Sequence, residues 1–334
     1  MKIIIPMAGR GSRLRPHTLT VPKPLLPIAG KPMVQRLVED LVASCNREID
    51  EVAFIIGDFG KEAEKQLMDI ADSLGAKGSI YYQDLPLGTA HAILCAKESL
   101  SGPCLIAFSD TLFKANFAIE DGVDGMVWVQ KVEDPSPFGV VKVDENNVIT
   151  DFVEKSPVFI SDLAIVGIYY IKDGNNLRDE LQYLIDNDIK DKGEYQLTSA
   201  LESMKSKGLI IKPGNIEEWL DCGNKDAVIF TNKRMLELKK DEQLVADNIS
   251  NVNTVIIPPC FIGDNVKLHN SVIGPYVSIG NNSKVENSVI INSIIQNDSL
   301  VKDANLGDSM VGNFVEYIGK KSEISIGDYS KYTV

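Results

Sequence analysis

Short apolar runs recur through the first half of the chain, separated by longer stretches in which apolar and polar residues mix. Lys2–Ile5, Val52–Ile56 and Cys104–Phe108 are mostly apolar and four to five residues long, and Tyr81–Gln83 is a shorter run. Runs of this length and composition predict strands that are buried on both faces, as in a parallel sheet.

The stretches between these runs have helical periodicity. One helix is predicted to begin at Pro32, since proline is favoured at the first helical position, and Lys61–Leu74 and Thr89–Leu100 predict two more. Gly139–Val143 and Val148–Glu154 predict a hairpin. Because strands and helices alternate, we expect an α/β fold with a Rossmann-like, mostly parallel sheet and helices on both faces.

The pattern changes after about residue 235, where a charged helix, Asn232–Asp241, precedes a region with short repeats. Within Ile256–Gly319 small apolar residues recur at about six-residue spacing, namely Ile262, Leu268, Ile273, Ile279, Val285, Ile295 and Val301. This hexapeptide pattern predicts a short left-handed parallel β-helix of roughly four coils of about eighteen residues. A small irregular β domain is the alternative. The predicted divisions are residues 1–235, a linker helix region 236–252 and a β-helix 253–334.

The overall composition is that of a globular protein, with 44% hydrophobic and 24% charged residues in 334. A net charge of −13 argues against nucleic acid or an anionic membrane as a partner. The apolar runs are too short to span a bilayer, and Met1–Pro6 is too short for a signal peptide. The five cysteines are scattered without a CxxC pair, so we expect reduced thiols and a cytoplasmic protein.

Positive charge is concentrated at the start of this acidic chain. There is no acidic residue before Glu39. The basic residues in the same stretch are Lys2, Arg10, Arg13, Arg15, Lys23, Lys31 and Arg36. The asymmetry suggests a local binding site for an anion.

A glycine-containing loop follows the first predicted strand, at the edge where open α/β sheets bind ligands. Gly9 and Gly11 allow the backbone to approach phosphate oxygens, Arg13 can add a forked contact and Lys23 a point charge. The dinucleotide fingerprint GxGxxG does not fit, because Leu14 stands at its third glycine, and the Walker pattern is absent. The loop therefore predicts a phosphate site of another kind.

The segment AGRGSRLRPHTLTVPKPLLPIAGKP, residues 8–32, resembles the signature of the sugar-1-phosphate nucleotidyltransferases, the family of glucose-1-phosphate thymidylyltransferase and mannose-1-phosphate guanylyltransferase. The resemblance extends over residues 1–235. It implies catalytic roles for Arg13, Lys23 and Asp110. It implies nucleotide-binding roles for Ala8, Gly9, Gly11, Ser12, Gln83, Pro86, Gly88 and Thr89. Arg10 is a departure, since many members have a second glycine there.

The stretch Gln83–Ala90 is similar to the family's base-reading stretch. A glutamine amide can donate to O4 and accept from N3–H, which suits uracil or thymine. Guanine offers two adjacent donors, N1–H and its 2-amino group, and would be met better by a carboxylate. Gln83 therefore favours UTP or dTTP over GTP.

Two aspartates resemble the family's Mg²⁺ ligands. Asp110 follows the run Cys104–Phe108, and Asp221 lies in Trp-Leu-Asp-Cys-Gly. A carboxylate pair suits Mg²⁺ on a triphosphate, since this ion keeps several waters and few protein ligands. Ser109 is a departure, because members usually have glycine at that position.

Four further residues resemble the family's sugar-phosphate site. Gly139 would let the backbone approach the sugar, Glu154 would accept hydrogen bonds from its hydroxyls and Lys155 would contact its phosphate; Gly167 resembles another sugar contact. Ser199 stands where an acidic residue is common, and we assign it no role.

We therefore expect an enzyme that transfers a nucleotidyl group from a nucleoside triphosphate to a sugar 1-phosphate, with glucose 1-phosphate favoured. No protein base is needed, because the phosphate nucleophile is already anionic, so His17 and His91 need not be catalytic. The alternatives are GTP-dependent transfer to mannose 1-phosphate, a regulatory subunit without catalysis, and acyl transfer by the β-helix at His269. Exposed β-helix faces favour stacking with another chain, so we expect a homo-oligomer.

Overall fold

The computed structural model describes residues 1–9, 11–45, 47–115, 117, 119–120, 122–320 and 325–331. The α-helices are α1 Met33–Ser44, α2 Lys61–Ser73, α3 Thr89–Cys95, α4 Gly174–Asp186, α5 Leu197–Ser206 and α6 Lys225–Leu238. The strands up to α6 are β1 Lys2–Pro6, β2 Pro27–Ile28, β3 Lys31–Pro32, β4 Glu51–Ile56, β5 Lys77–Tyr82, β6 Cys104–Ala107, β7 Thr111–Lys114, β8 Gly125–Lys131, β9 Gly139–Val143, β10 Ile149–Glu154, β11 Leu163–Ile171, β12 Ile211–Asn215 and β13 Glu218–Asp221.

The strands after α6 are short. They are β14 Ser250–Val252, β15 Val255–Ile256, β16 Cys260–Ile262, β17 Lys267–His269, β18 Val272–Ile273, β19 Val277–Ile279, β20 Lys284–Glu286, β21 Val289–Ile291, β22 Ile294–Ile295, β23 Leu300–Lys302, β24 Asn305–Gly307, β25 Met310–Val311 and β26 Glu316–Ile318. Nowhere in the described ranges is a helix both long and apolar enough to cross a bilayer.

The chain divides by its internal contacts into two compact units. The first unit is Met1–Leu26 with Lys31–Asn224, and the second is Pro27–Gly30 with Lys225–Val334. The main segment of the second unit starts at Lys225, so α6 belongs to this unit. Four residues of the N-terminal signature also belong to the second unit.

The first unit is built on one mixed sheet with a parallel centre. Its main order is β10-β9-β11-β6-β1-β4-β5, and β8 joins β11 to β12. Strands β5, β4, β1 and β6 are mutually parallel neighbours. Strand β11 runs antiparallel to β6 and extends the sheet toward the hairpin of β9 and β10. The predicted mostly parallel sheet is thus confirmed.

Helices cover both faces of this sheet. Ala53 of β4 belongs to a buried apolar cluster with residues of α3, α4 and α5. Its neighbour Val52 points to the opposite face, since side chains alternate along a strand, and it pairs with Gly78 of β5. A Cβ on Gly78 would lie 2.8 Å from the sulfur of Met68 in α2. Helix α2 therefore packs on the face away from α3.

Predicted element ends differ from the observed ones by several residues. The helix predicted over Asn232–Asp241 is α6, Lys225–Leu238, and the end of α3 is also misplaced. This helix was expected to reach Leu100 but ends at Cys95. The chain then turns so that Ser99 is buried and its hydroxyl donates to Glu51 Oε1 at 2.8 Å. The turn after α3 thus supplies a hydrogen bond to a buried carboxylate, which buried polar groups require.

The second unit contains stacked coils of parallel strands, consistent with the predicted left-handed β-helix. Three sheets run along the stack, in the orders β14-β17-β20-β23-β26, β15-β18-β21-β24 and β16-β19-β22-β25. The predicted repeat positions form the apolar interior, and Ile262, Ile279 and Val285 are fully buried.

The coils are shorter than the predicted eighteen residues. Ser250 pairs with Lys267 and Lys267 with Lys284, a step of 17, whereas Lys284 pairs with Leu300, a step of 16. Some faces therefore use five residues rather than six. Corner residues in the left-handed conformation make the shorter turns, and their side chains form ladders, as in the hydrogen bond from Asn265 Nδ2 to Asn282 Oδ1 at 3.2 Å.

Helix α6 and the segment Pro27–Gly30 are integrated into this second unit. Asn232 of α6 accepts through Oδ1 from the backbone N–H of Ala29 at 2.9 Å and from the hydroxyl of Ser278 at 2.7 Å. A Cβ on Gly30 would lie 2.1 Å from the ring of Phe261, so the ring packs directly on this glycine. The segment is thus held by a buried polar bond and by an aromatic contact.

Candidate active site

The carboxyl ends of the central parallel strands place the predicted site residues along one edge of the sheet. The signature loop follows β1, Gln83 follows β5, and Ser109 and Asp110 follow β6. Because β1, β5 and β6 all run in one direction, these segments meet at the edge where open α/β sheets bind ligands.

A first cavity of about 390 Å³ opens at this edge. All eight residues predicted to bind the nucleotide line it, and so do Arg13, Lys23 and Asp110. The rest of the wall comes from Pro6, Met7, Pro24, Ala92, Phe108, Ser109, Glu194 and Gly223. The structure therefore gathers the signature loop and the stretch Gln83–Thr89 around one space.

The signature loop is held in a compact shape by its own contacts. Residues Ser12–Leu14 form a 3-10 turn, and Leu14 is buried. Gly11 has φ of +59°, and a Cβ there would lie 2.8 Å from Lys23 Cβ, so both the backbone and the packing require glycine. The hydroxyl of Thr18 donates to the carbonyl of Gly11 at 2.7 Å. Arg10 lies outside the described residues.

Lys23 lies in the second half of the signature loop and reaches the residues that follow β6. Its Nζ is 2.8 Å from Asp110 Oδ2, and its side chain is only 11% exposed. The ion pair places a cation and a carboxylate together in the wall of the cavity. This is the arrangement that a polyphosphate and its metal ion need at their binding site.

Gln83 forms two hydrogen bonds with neighbouring residues through its side-chain nitrogen. Nε2 is 3.1 Å from the carbonyl oxygen of Gly88 and 3.1 Å from Nδ1 of His91. Gly88 itself is tightly packed, since a Cβ there would lie 2.4 Å from the carbonyl oxygen of Tyr195. Burial lowers the pKa of His91 below its usual value, which favours a neutral ring.

A second cavity of about 510 Å³ contains all four residues predicted to bind the sugar phosphate, Gly139, Glu154, Lys155 and Gly167. A Cβ on Gly139 would lie 2.8 Å from Glu154 Oε2, so this carboxylate packs directly on the glycine. Phe138 and Trp219 stand in the wall as an edge-to-face pair with centroids 4.8 Å apart. Burial raises the pKa of Tyr169, and the nearby charge of Glu154 raises it further.

The turn that carries Lys155 is tied down from another loop. Lys155 has φ of +41°, which is uncommon for a lysine. Lys192 Nζ donates to the carbonyl oxygens of Glu154 at 2.8 Å and Lys155 at 2.5 Å. Lys192 lies in an exposed polar loop with no motif around it, so the sequence gives no signal for this contact.

The two cavities share part of their walls. Arg13, Thr89, Phe108, Asp110 and Glu194 line both. Glu194 and Phe108 were not predicted as site residues. Glu194 lies in the stretch Glu194–Thr198, directly before Ser199, and the resemblance of this stretch to the family pattern is the signal that could have identified it.

The two predicted metal ligands come together through strand pairing. Asp221 ends β13 opposite Thr111 of β7, and the backbone N–H of Cys222 donates to the carbonyl of Asp110 at 3.0 Å. A Cβ on Gly223 would lie 2.8 Å from Asp221 Oδ2 and 3.2 Å from Arg13 Nη2, which brings the carboxylate close to the guanidinium.

The donor set suits a hard divalent cation. Asp110 and Asp221 supply carboxylate oxygens, and both line the second cavity. Within the part of the chain that the structure describes, no cluster of three or more His, Cys, Asp or Glu is placed to hold a metal. Two carboxylates fit an ion such as Mg²⁺, which completes its shell with phosphate oxygens and water.

The family assignment follows from a sequence profile described as "Nucleotidyl transferase", which matches residues 2–237. The match covers the first unit from Lys2 onward and therefore every residue that lines the two cavities. The chain belongs to the nucleotidyl transferase family.

Several named proteins are similar to this chain over half of its length or more. The low-salt glycan biosynthesis nucleotidyltransferase Agl11 of Haloferax volcanii is 31% identical over 72% of this chain and 67% of its own length. The bifunctional protein GlmU of Methanococcus maripaludis is 31% identical over 77% of this chain and 60% of its own length. The mannose-1-phosphate guanylyltransferase catalytic subunit beta of Drosophila pseudoobscura pseudoobscura is 38% identical over 50% of this chain and 47% of its own length. The chain thus spans about half to two thirds of these relatives.

A solved structure shares the fold. The crystal structure of UDP-glucose pyrophosphorylase complexed with UDP-glucose matches with a TM-score of 0.57 and 24% identity, covering 71% of this chain and 98% of the other. At this identity the match supports the fold alone.

Proposed function

We propose that this chain transfers a nucleotidyl group from a nucleoside triphosphate to a sugar 1-phosphate and releases pyrophosphate. The observation that supports this most strongly is the division of the predicted residues between two cavities. Those assigned to the nucleotide line the first cavity, those assigned to the sugar phosphate line the second, and Arg13 and Asp110 line both. A transfer between two bound substrates requires such a shared boundary.

The reaction joins the two substrates at the boundary. An oxygen of the sugar phosphate attacks the α-phosphorus, the bond from that phosphorus to the bridging oxygen of the β-phosphate breaks, and pyrophosphate leaves. Arg13 and Lys23 neutralise charge on the triphosphate, and Lys155 orients the sugar phosphate. Mg²⁺ held by Asp110 and Asp221 would supply further charge neutralisation on the phosphates. Since the nucleophile is already anionic, no side chain has to remove a proton.

The favoured nucleotides are UTP and dTTP, and glucose 1-phosphate is the favoured acceptor. The chemistry of Gln83 at the first cavity supports a base with a ring N–H and a carbonyl. GTP with mannose 1-phosphate is the second candidate, supported by the 38% identity to a guanylyltransferase subunit.

A substrate panel tests the proposal. Pyrophosphate release is measured with Mg²⁺ for UTP, dTTP, GTP, CTP and ATP, each with glucose 1-phosphate and with mannose 1-phosphate. Activity with UTP or dTTP and glucose 1-phosphate supports the favoured assignment. Activity restricted to GTP and mannose 1-phosphate would support the proposed transfer reaction and would show that the favoured substrates are wrong. If no pair is active while nucleotides bind, a regulatory subunit with this fold becomes the better account.

A further inference from the structure

The tip of the β2–β3 hairpin contains a residue in a disfavoured backbone conformation. Ala29 is buried and has φ of +47°, and Gly30 beside it has φ of +85°. The left-handed region is unfavourable for alanine, because its Cβ crowds the following carbonyl oxygen, whereas glycine adopts this region freely. A residue in such a conformation persists only where its surroundings hold it. The contacts of the hairpin tip therefore show what fixes it.

These contacts come from the second unit. The backbone N–H of Ala29 donates to Oδ1 of Asn232 at 2.9 Å, and the same oxygen accepts from the hydroxyl of Ser278 in β19 at 2.7 Å. Asn232 is 1% exposed, so losing its acceptor oxygen would cost the hydrogen bonds of two buried donors. The ring of Phe261 packs on Gly30, where an added Cβ would lie 2.1 Å from it. Helix α6 and the β-helix thus hold the hairpin tip together.

The same hairpin is continuous with the turn that carries Lys23. Lys23–Leu25 form a 3-10 turn, and the N–H of Leu26 closes it by donating to the carbonyl of Lys23 at 3.1 Å. The carbonyl of Leu26 accepts from the N–H of Met33 at the start of α1 at 3.0 Å, which closes the base of the hairpin. A shift of the hairpin would therefore displace the turn. It would also displace the ammonium group that lies 2.8 Å from Asp110 Oδ2 in the wall of the first cavity.

We infer that Asn232 is a positioning residue for the transfer reaction, which holds Ala29 in its left-handed conformation and thereby fixes the hairpin and the placement of Lys23. This rests on the proposed function for the role of Lys23. The residues that line the two cavities all belong to the first unit, so Asn232 acts through the backbone rather than by contact with a substrate. It does so across 203 residues of sequence. The second unit thus takes part in ordering the catalytic lysine.

Two substitutions of Asn232 and one control test this inference. Asn232→Leu keeps the approximate size of the side chain and removes the acceptor, whereas Asn232→Asp retains an acceptor oxygen for the N–H of Ala29. Val285→Ala removes volume from the buried interior of the β-helix, so it controls for a loss of stability in the second unit. The thermal midpoint, kcat for pyrophosphate release and both KM values are measured for all three variants and for the unsubstituted chain.

The kinetic constants should separate the variants. We expect Asn232→Leu to lower kcat by roughly ten-fold, because a small displacement of a charged group at the reaction centre weakens its effect on the transition state. The KM for the sugar 1-phosphate should stay within about two-fold, since Lys23 is assigned to the triphosphate. Asn232→Asp and Val285→Ala should keep kcat within about two-fold even where they lower the thermal midpoint.

Hydrogen exchange tests the hold on the hairpin without using activity. Amide exchange is followed by mass spectrometry in peptides that cover residues 25–33 of the same four proteins. Asn232→Leu should speed exchange in this segment by roughly ten-fold relative to Val285→Ala, because local opening sets the exchange rate of protected amides. Asn232→Asp should exchange more slowly there than Asn232→Leu.

A merely structural role for Asn232 gives a different pattern. Asn232→Leu and Val285→Ala would then both lower the thermal midpoint, and they would agree in kcat and in the exchange of residues 25–33, which would overturn the inference. Equal losses of kcat in folded Asn232→Leu and Asn232→Asp would also overturn it, since the acceptor oxygen would then be irrelevant. An unsubstituted chain that releases no pyrophosphate with any substrate pair is a separate outcome, which overturns the proposed function and the positioning role together.

Discussion

Lys23 Nζ lies 2.8 Å from Asp110 Oδ2, so the cation of the signature loop is paired with the carboxylate that follows β6. Asp110 is the more accessible partner, at 42% side-chain exposure against 11% for Lys23. The carboxylate of Asp110 can therefore contact a ligand in the cavities, while the largely buried Lys23 side chain stays paired with it. The pair joins two segments that are 87 residues apart in sequence.

Replacing Asp110 by asparagine tests the role of this pair. Asp110→Asn keeps the size of the side chain and removes its charge, so the ion pair with Lys23 and the proposed carboxylate ligand for Mg²⁺ are both lost. We expect kcat for pyrophosphate release to fall by roughly 100-fold or more, as for other groups that stabilise charge in the transition state. Asp69→Asn, at an exposed position of α2, is the matched control. A kcat within two-fold of the unsubstituted chain would show that Asp110 has no catalytic role.

The two glycines of the signature loop should respond differently to alanine. Gly11→Ala forces a side chain into φ of +59° and against Lys23 Cβ, which costs about 1–2 kcal/mol in the backbone conformation alone. An added Cβ on Gly9 meets no described atom within 4 Å, and Gly9 lines the first cavity.

We therefore expect Gly11→Ala to lower the free energy of unfolding and Gly9→Ala to leave it nearly unchanged. Gly9→Ala should instead raise the KM for the nucleotide by roughly ten-fold, since a methyl group prevents close approach of the backbone to phosphate. Urea denaturation and nucleotide titration measure the two effects. Equal destabilisation by both changes would contradict the loop geometry.

Gly223 leaves room for the side chains of Arg13 and Asp221. A Cβ at this position would lie 3.2 Å from Arg13 Nη2 and 2.8 Å from Asp221 Oδ2, so Gly223→Ala must displace at least one of them. We expect kcat to fall by roughly ten-fold with little loss of stability, because misplaced charged groups stabilise the transition state less well. Gly307→Ala, where no described atom lies within 4 Å of the added Cβ, serves as control. An unchanged kcat in Gly223→Ala would show that the added methyl group does not displace Arg13 or Asp221 from a catalytic position.

Lys192 is expected to act on sugar-phosphate binding alone. Lys192→Met removes the two hydrogen bonds to the carbonyls of Glu154 and Lys155, and the Lys155 turn should then relax from its φ of +41°. The KM for the sugar 1-phosphate should rise by roughly three- to ten-fold while the KM for the nucleotide stays unchanged. Lys65→Met on the exposed face of α2 controls for loss of charge. A parallel rise in both KM values would argue against a local effect.

Much of the first unit could be predicted because its signals are local in sequence. The short apolar runs correctly predicted β1, β4 and β6. Because these strands are parallel, the loop after β1 and Asp110 after β6 lie at the same edge of the sheet. Lys192 could not be predicted, since it acts on backbone carbonyls 37 and 38 residues away and any exposed lysine has the same local pattern.

In the second unit, the repeat pattern predicted the buried positions but not the coil length. The buried positions Ile262 and Val285 were identified from their spacing, yet the coil length was overestimated, because left-handed Asn and Asp corners shorten some faces to five residues. The inclusion of Pro27–Gly30 in this unit was also missed. It depends on the side chains of Asn232 and Phe261, which are remote in sequence and have no motif of their own.

The measurement that tests the central claim most directly is whether pyrophosphate release requires both substrates. The full chain is incubated with Mg²⁺ and each nucleoside triphosphate, with and without a sugar 1-phosphate, and pyrophosphate and nucleotide sugar are quantified together. The two-cavity site predicts that both products form in equal amounts and only when both substrates are present. Pyrophosphate released equally without the sugar phosphate, or no nucleotide sugar with any pair, would contradict it.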